Sequence, residues 1–183
     1  MSFYRFVFQD CIARNPHAGC LKYIQQYVRI PAYRIIIRYR LCQYLKEYRG
    51  GGIILTLNRL LMERICGKYC VTLSDGLNSG EGLAFPHNGP FVINPGAVIG
   101  KYCTIHPQVL IGGDREKGAP RIGDYVFIGN GAKVIGNAKI GNWVFISPGA
   151  IVTKDVPDGC LVGAGLNNIL NNDGRKHVEM YLL

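Results

Sequence analysis

Ile122-Gly-Asp-Tyr-Val-Phe-Ile128-Gly-Asn-Gly-Ala-Lys-Val134-Ile-Gly-Asn-Ala-Lys-Ile140-Gly-Asn-Trp-Val-Phe-Ile146-Ser-Pro-Gly-Ala-Ile-Val152 decides the fold of this chain. An aliphatic residue returns at every sixth position without a slip. The same beat runs upstream through Ile93, Ile99, Ile105 and Ile111, which makes ten slots in two blocks. A period of six is neither the three-to-four of a helical stripe nor the two of an amphipathic strand.

It fits a hexapeptide solenoid, in which each unit is one flat side and the aliphatic residue points to the axis. Gly or Asn is expected at the corners, where positive φ is often required. Three sides make a coil of about eighteen residues, and coils stack at roughly 4.8 Å, so the aliphatic side chains pile in columns. No single repeat buries a core; the stack does.

These repeats, with Pro120-Arg-Ile-Gly-Asp-Tyr-Val-Phe-Ile-Gly-Asn-Gly-Ala-Lys-Val-Ile-Gly-Asn and Val152-Thr-Lys-Asp-Val-Pro, resemble the hexapeptide acyltransferase superfamily. Within it they are similar to serine acetyltransferase and to the small O-acetyltransferases of surface-polysaccharide clusters. The resemblance covers roughly residues 73–166. It implies a mainly β fold, a left-handed parallel β-helix, with a small α-helical N-terminal domain. The implied organisation is a basic helical domain over 1–70, the β-helix acyltransferase domain over 71–166 and a polar tail over 167–183.

Composition agrees. The 183 residues include 24 glycines and are 48% hydrophobic, as a solenoid requires and disorder does not. The first ten residues are broken by charge too early for a signal peptide, and no apolar run has membrane-span length. A cytoplasmic protein is expected, with contact at the inner membrane surface as an alternative. Seven cysteines without a CxxC pair indicate neither a zinc site nor a redox motif, and buried free thiols are expected.

The net charge of +9 is uneven. Before Val71 there are twelve basic and three acidic residues; after it, nine of each. Pro31 is expected to open a helix carrying Tyr33, Ile36, Ile37 and Tyr39, with Arg34, Arg38 and Arg40 interleaved, and Gly50 to stop it. Leu55 to Ile65 reads as a second amphipathic helix. Shorter helices are expected near Phe6 to Ala13 and Ala18 to Tyr27. The basic region either caps the first coil or meets an anionic lipid surface; no nucleic-acid motif accompanies the charge.

Leu73, Ser79 and Phe85 keep the six-residue step, and then eight residues pass before Ile93. The two extra residues fall in Pro86-His-Asn-Gly-Pro. Such an insertion re-aims side chains on a regular scaffold. In the resembling families the histidine in the context Gly80-Glu-Gly-Leu-Ala-Phe-Pro-His is the general base, which implies that role for His87. A neutral imidazole takes the hydroxyl proton as the new bond to the thioester carbonyl forms, which typically contributes about 10² to 10⁴ in rate. A backbone amide is expected to stabilise the oxyanion. His106 is the rival base; since Ile105 occupies the inward slot, His106 is expected to face solvent or another subunit. His17 and His177 receive no chemistry.

Between Ile111 and Ile122 the step lengthens to eleven, so Gly112-Gly-Asp-Arg-Glu-Lys-Gly-Ala-Pro protrudes. The resemblance implies that this loop closes the site across a trimer interface, with Arg115 toward the acceptor. It also implies an acetyl-CoA groove along Gly113, Asn130, Ala132, Ser147, Pro148 and Lys154, and no metal.

Several positions depart from serine acetyltransferase. That family has an Asp directly before the histidine, where this chain has Pro86. Its supporting Asp near the first coil aligns with Thr72, with Asp75 three residues on as a substitute. Its Arg-His pair aligns with Gly118-Ala119, for which Arg115 or Arg121 compensates. On these grounds a sugar or surface-polysaccharide precursor is favoured as acceptor over L-serine. The alternatives are serine O-acetylation and a non-catalytic binding solenoid. A homotrimer or a dimer of trimers is expected.

Overall fold

The computed structural model describes residues 3–12, 25, 30–47, 52–114, 116 and 118–182. Helices α1 (Phe3–Ile12), α2 (Pro31–Glu47) and α3 (Gly52–Lys68) precede a run of short strands that begins at Val71, and α4 (Gly174–Leu182) follows it. Pro31 opens α2 as expected, because its missing N–H costs nothing in the first turn. Apart from Gln25, the expected helix over Ala18 to Tyr27 lies outside the described residues, as does the glycine stop at Gly50.

The strands fall into three sheets that the chain visits in rotation. Phe91–Ile93 belongs to the first sheet, Val98–Ile99 to the second and Thr104–Ile105 to the third, and then Leu110–Gly112 returns to the first. Strand pairing is parallel except at the final strand, Ile169–Asn171. Phe145 lies beside Phe127, and Lys139 beside Arg121, each eighteen residues on. Around the inserted pair the offset grows to twenty, with Thr104 beside Ala84. Ala84 and Val156 complete their coils through single bridges to Thr104 and Ile140.

All ten aliphatic slots are buried, Ile111, Ile128, Val134, Ile146 and Val152 at 0% exposure. A second buried column lies two positions earlier, on the same side of each strand: Ala97, Cys103, Val109, Val126, Ala132, Ala138, Val144 and Ala150. Small residues dominate it because two columns share one narrow axis. Cys103 and Cys160 are core members, and Cys42 and Cys66 are also buried, but Cys70 is exposed, which corrects the expectation for that thiol.

The second corner departs from the expected Gly or Asn. Tyr102, Tyr125 and Trp143 take the positive φ there, at 53°, 56° and 57°. Their rings stack at 5.0 and 4.1 Å, with Arg175 of α4 over the indole at 4.8 Å. Left-handed backbone costs about 1 to 2 kcal/mol per residue, and each aromatic pair returns about 0.5 to 1.5 kcal/mol. In the first coil the position is Gly82, where a side chain would run into the Tyr102 ring.

The helices close the open edge of the first coil, where Asn78–Ser79 ends its sheet. Tyr39 Oη and Gln43 Nε2 donate to the Leu77 carbonyl at 2.8 and 3.0 Å. Arg40 donates to the Ser79 and Gly80 carbonyls, and the Leu83 N–H donates to Asp10 Oδ1 at 2.9 Å. Arg40 and Asp10 are themselves paired at 2.7 Å with side chains only 2% and 1% exposed. Burial pushes the Asp10 carboxyl up, and Arg40 pulls against it. Lower on the cap, Arg5 holds Glu81, while Lys46 and Arg59 hold the two oxygens of Asp75 at 3.1 and 2.6 Å. Four of the twelve basic residues before Val71, Arg5, Arg40, Lys46 and Arg59, thus engage the first coil.

On its outer side α3 leaves Ile53, Ile54, Leu57, Leu60 and Leu61 exposed, while Asn58, Met62 and Cys66 face inward. Among the described residues no helix is long and apolar enough to cross a membrane. The tail also departs from expectation. Ile169–Asn171 pairs antiparallel with Leu161–Val162, and α4 sets Val178 against Phe127 and Phe145.

Ile146→Ala removes a fully buried column member and is expected to cost about 2 to 5 kcal/mol in urea unfolding. Asp75 gives a pH signature. Partial burial alone would raise its carboxyl, but the Arg59 and Lys46 contacts outweigh it and hold the carboxyl below its ordinary range. Its stabilisation is therefore present above the unfolded value of 3.8 and is lost as pH falls through the folded value. Asp75→Asn is expected to cost about 1 kcal/mol or less at neutral pH, since both partners are partly exposed, and the gap from wild type should vanish on acidification.

Candidate active site

His87 stands at the third corner, where the chain passes from the third sheet back to the first. Phe85 and Phe91 bracket the inserted residues, both buried with ring centroids 4.5 Å apart, and so pin the two ends of the segment. Between them Gly89 runs close over the next coil: a Cβ there would sit 2.7 Å from the Cβ of Pro107. The Gln108 N–H donates to the Pro90 carbonyl. The result is an exposed imidazole on a fixed backbone. It borders a shallow recess lined also by Pro31, Ala32 and Ile35 of α2 and by Tyr69.

His106 does not simply face solvent. Its half-buried ring lies against His87, with centroids 5.4 Å apart and planes at 64°, and its other side meets Phe127 at 4.7 Å. Burial first, and His87 second, push its pKa down to about 4. The signal was in the spacing. The insertion stretches the first coil to twenty residues, so one turn beyond His87 arrives at positions 106 and 107.

The third corner also carries three of the residues expected to line an acyl-donor groove. Asn130, Ser147 and Pro148 follow His87 and His106 along the same edge, joined by backbone bonds from Gly131 to Pro107 and from Gly149 to Asn130. Exposed Asn130 and Pro148 and the small Ser147 leave a low wall along this edge. Ala132 does not belong to it. Its side chain is in the core, its N–H donates to Gly129, and its carbonyl accepts from Leu110. Gly113 and Lys154 are exposed, but at the first corner, between the first and second sheets.

Asp75 lies at that first corner too, engaged by Lys46 and Arg59. Within this protomer it holds helices and is not brought to His87, which corrects the expectation of a supporting carboxylate. Arg115 lies outside the described residues. The loop around it is tied at its base, where Asp114 and Gly118 exchange backbone bonds of 2.7 and 3.0 Å. His177, given no chemistry, packs its ring 5.4 Å from Phe145.

Comparison with known proteins bears on the acceptor. The bacterial transferase hexapeptide model (six repeats) matches residues 119–154. A serine acetyltransferase of Synechococcus elongatus is 31% identical over 163 residues, covering 87% of this chain and 62% of the relative. One from Helicobacter pylori is 32% identical over 169 residues, covering 90% and 92%. Among solved structures, soybean serine acetyltransferase complexed with serine superposes with a TM-score of 0.77 at 27% identity, over 92% of this chain and 70% of that one. The chain spans less than two thirds of the cyanobacterial relative's length.

The preference for a sugar or polysaccharide acceptor is overturned by these relatives, which are serine acetyltransferases across bacteria and plants. Substitutions at Pro86, Thr72 and Gly118-Ala119 misled the reading because they alter how a site is furnished, whereas similarity along nearly the whole Helicobacter protein reflects common descent. With 92% of that relative covered, this chain belongs to the serine acetyltransferase family of the hexapeptide transferases.

Proposed function

We propose that the chain is a serine O-acetyltransferase, moving the acetyl group of acetyl-CoA to the hydroxyl of L-serine. The observation that carries this reading is the match to the Helicobacter relative, which is 32% identical and covered over 92% of its length. The soybean structure, which holds serine, supports the acceptor.

In the proposed step His87 takes the serine hydroxyl proton as the oxygen attacks the thioester carbonyl. The tetrahedral intermediate collapses with loss of the CoA thiolate, to which the imidazolium returns the proton. Exposure of His87 at the edge suits a base that must reach a bound hydroxyl. Asn130, Ser147 and Pro148 would flank the acyl donor.

The three sheets are read as a left-handed parallel β-helix that assembles as a trimer, alone or doubled. Two features support assembly. Gly113 and Lys154 occupy a different edge from His87, so they reach the donor only from a neighbouring subunit. The exposed apolar face of α3 also calls for cover.

Purified protein is expected to release thiol from acetyl-CoA only when L-serine is present, and His87→Ala to lower that rate by about 10² to 10⁴. Light scattering should give three or six times the chain mass. A serine-independent rate, or a His87→Ala enzyme as fast as wild type, would overturn the reading.

A further inference from the structure

The histidine at the third corner is the first of a run of rings. His87 meets His106, His106 meets Phe127, Phe127 stacks on Phe145 at 4.5 Å and 2°, and Phe145 meets His177 of α4. Phe127 and Phe145 are buried, so His106 is held from behind by a packed stack, while the ring in front of it is exposed. Among the described residues no carboxylate lies within hydrogen-bond or ion-pair distance of His87. Asp75 is engaged at another corner. A nitrogen-bearing ring does stand beside the proposed base: that of His106.

We infer that His106 is a positioning residue for His87: its neutral imidazole accepts a hydrogen bond from the His87 ring nitrogen that faces away from the acceptor, which sets the tautomer and the aim of the base. This rests on His87 acting as the base. Two imidazoles joined by an N–H···N bond of about 2.9 Å have ring centres about 5 Å apart, so a small rotation of the exposed ring closes the observed 5.4 Å. A neutral imidazole carries one acceptor nitrogen and one donor, so it fills this role without bringing a charge into a half-apolar site. Its burial keeps it in that form. A protonated His106 would offer two donors and no acceptor, and would repel the imidazolium that His87 becomes. Among the described residues, the titratable group lining the recess beside His87 is Tyr69, and the one acting on His106 is His87 itself.

The test compares His106→Phe, His106→Gln and His87→Ala in serine-dependent thiol release from acetyl-CoA. Phenylalanine keeps the ring packing on Phe127, so the melting temperature should hold, while kcat falls by about 10- to 100-fold and KM for serine stays within about threefold. Glutamine, whose amide oxygen accepts a hydrogen bond, should recover part of the lost kcat. A His106→Phe enzyme with wild-type kcat, or with only KM changed, overturns the inference. A fully active His87→Ala enzyme overturns instead the reading on which it rests. Nitrogen-15 spectra of histidine-labelled wild-type protein give an answer that needs no variant: one neutral His87 tautomer is expected, and an even mixture of the two sinks the proposal.

Discussion

A stack of coils satisfies its backbone only by passing each hydrogen bond to the next coil, and a stack has ends. The end before the first coil is the point on which the rest depends, because an unmet carbonyl there costs about as much as a lost buried hydrogen bond. Arg40 meets that need at two carbonyls, Tyr39 and Gln43 at a third, and Asp10 at the Leu83 N–H. An apolar cap would pack as well, but it would leave these groups unpaired. That is the physical reason for a charged pair at 2% and 1% exposure in a position where burial is expensive. At the far end, Ile169–Asn171 turns antiparallel onto the last coil and α4 folds back over it.

With both ends met, the interior becomes a rigid ruler along which side chains recur at known heights. The aromatic ladder at the second corner and the ring run at the third are two uses of that ruler. Stacked rings repay strained backbone in the first, while in the second a packed column leads up to an exposed histidine. An exposed imidazole on such a scaffold stands on a backbone fixed by buried neighbours. The insertion at Pro86-His-Asn-Gly-Pro breaks the ruler at the third corner, and Phe85 and Phe91 lock the break on either side.

The placement of the site residues follows from the same geometry. Ala132 sits two positions before the slot Val134, so it shares the inward side, and a turn-like neighbourhood did not reveal that. Asn130, Ser147 and Pro148 fall one coil apart on one edge, whereas Gly113 and Lys154 fall on another, a distinction contained in the six-residue count. Asp75 drew attention by its nearness in sequence to the family position. Its partners, Lys46 and Arg59, come from helices whose packing no local pattern announces.

The amino-acid sequence by itself determined the inward columns, the place of the inserted histidine and the concentration of charge before Val71. Each follows from the period of the chain, and a period is local. The tertiary structure alone decided that His106 meets His87, that Asp75 belongs to the helices, that Tyr102, Tyr125 and Trp143 hold the second corner, and that the tail returns as a helix. Those are contacts between coils or across long separations, such as Arg40 to Gly80 forty residues on. They depend on how far an insertion shifts one coil over the next and on where helices dock, and neither quantity is carried by any single repeat.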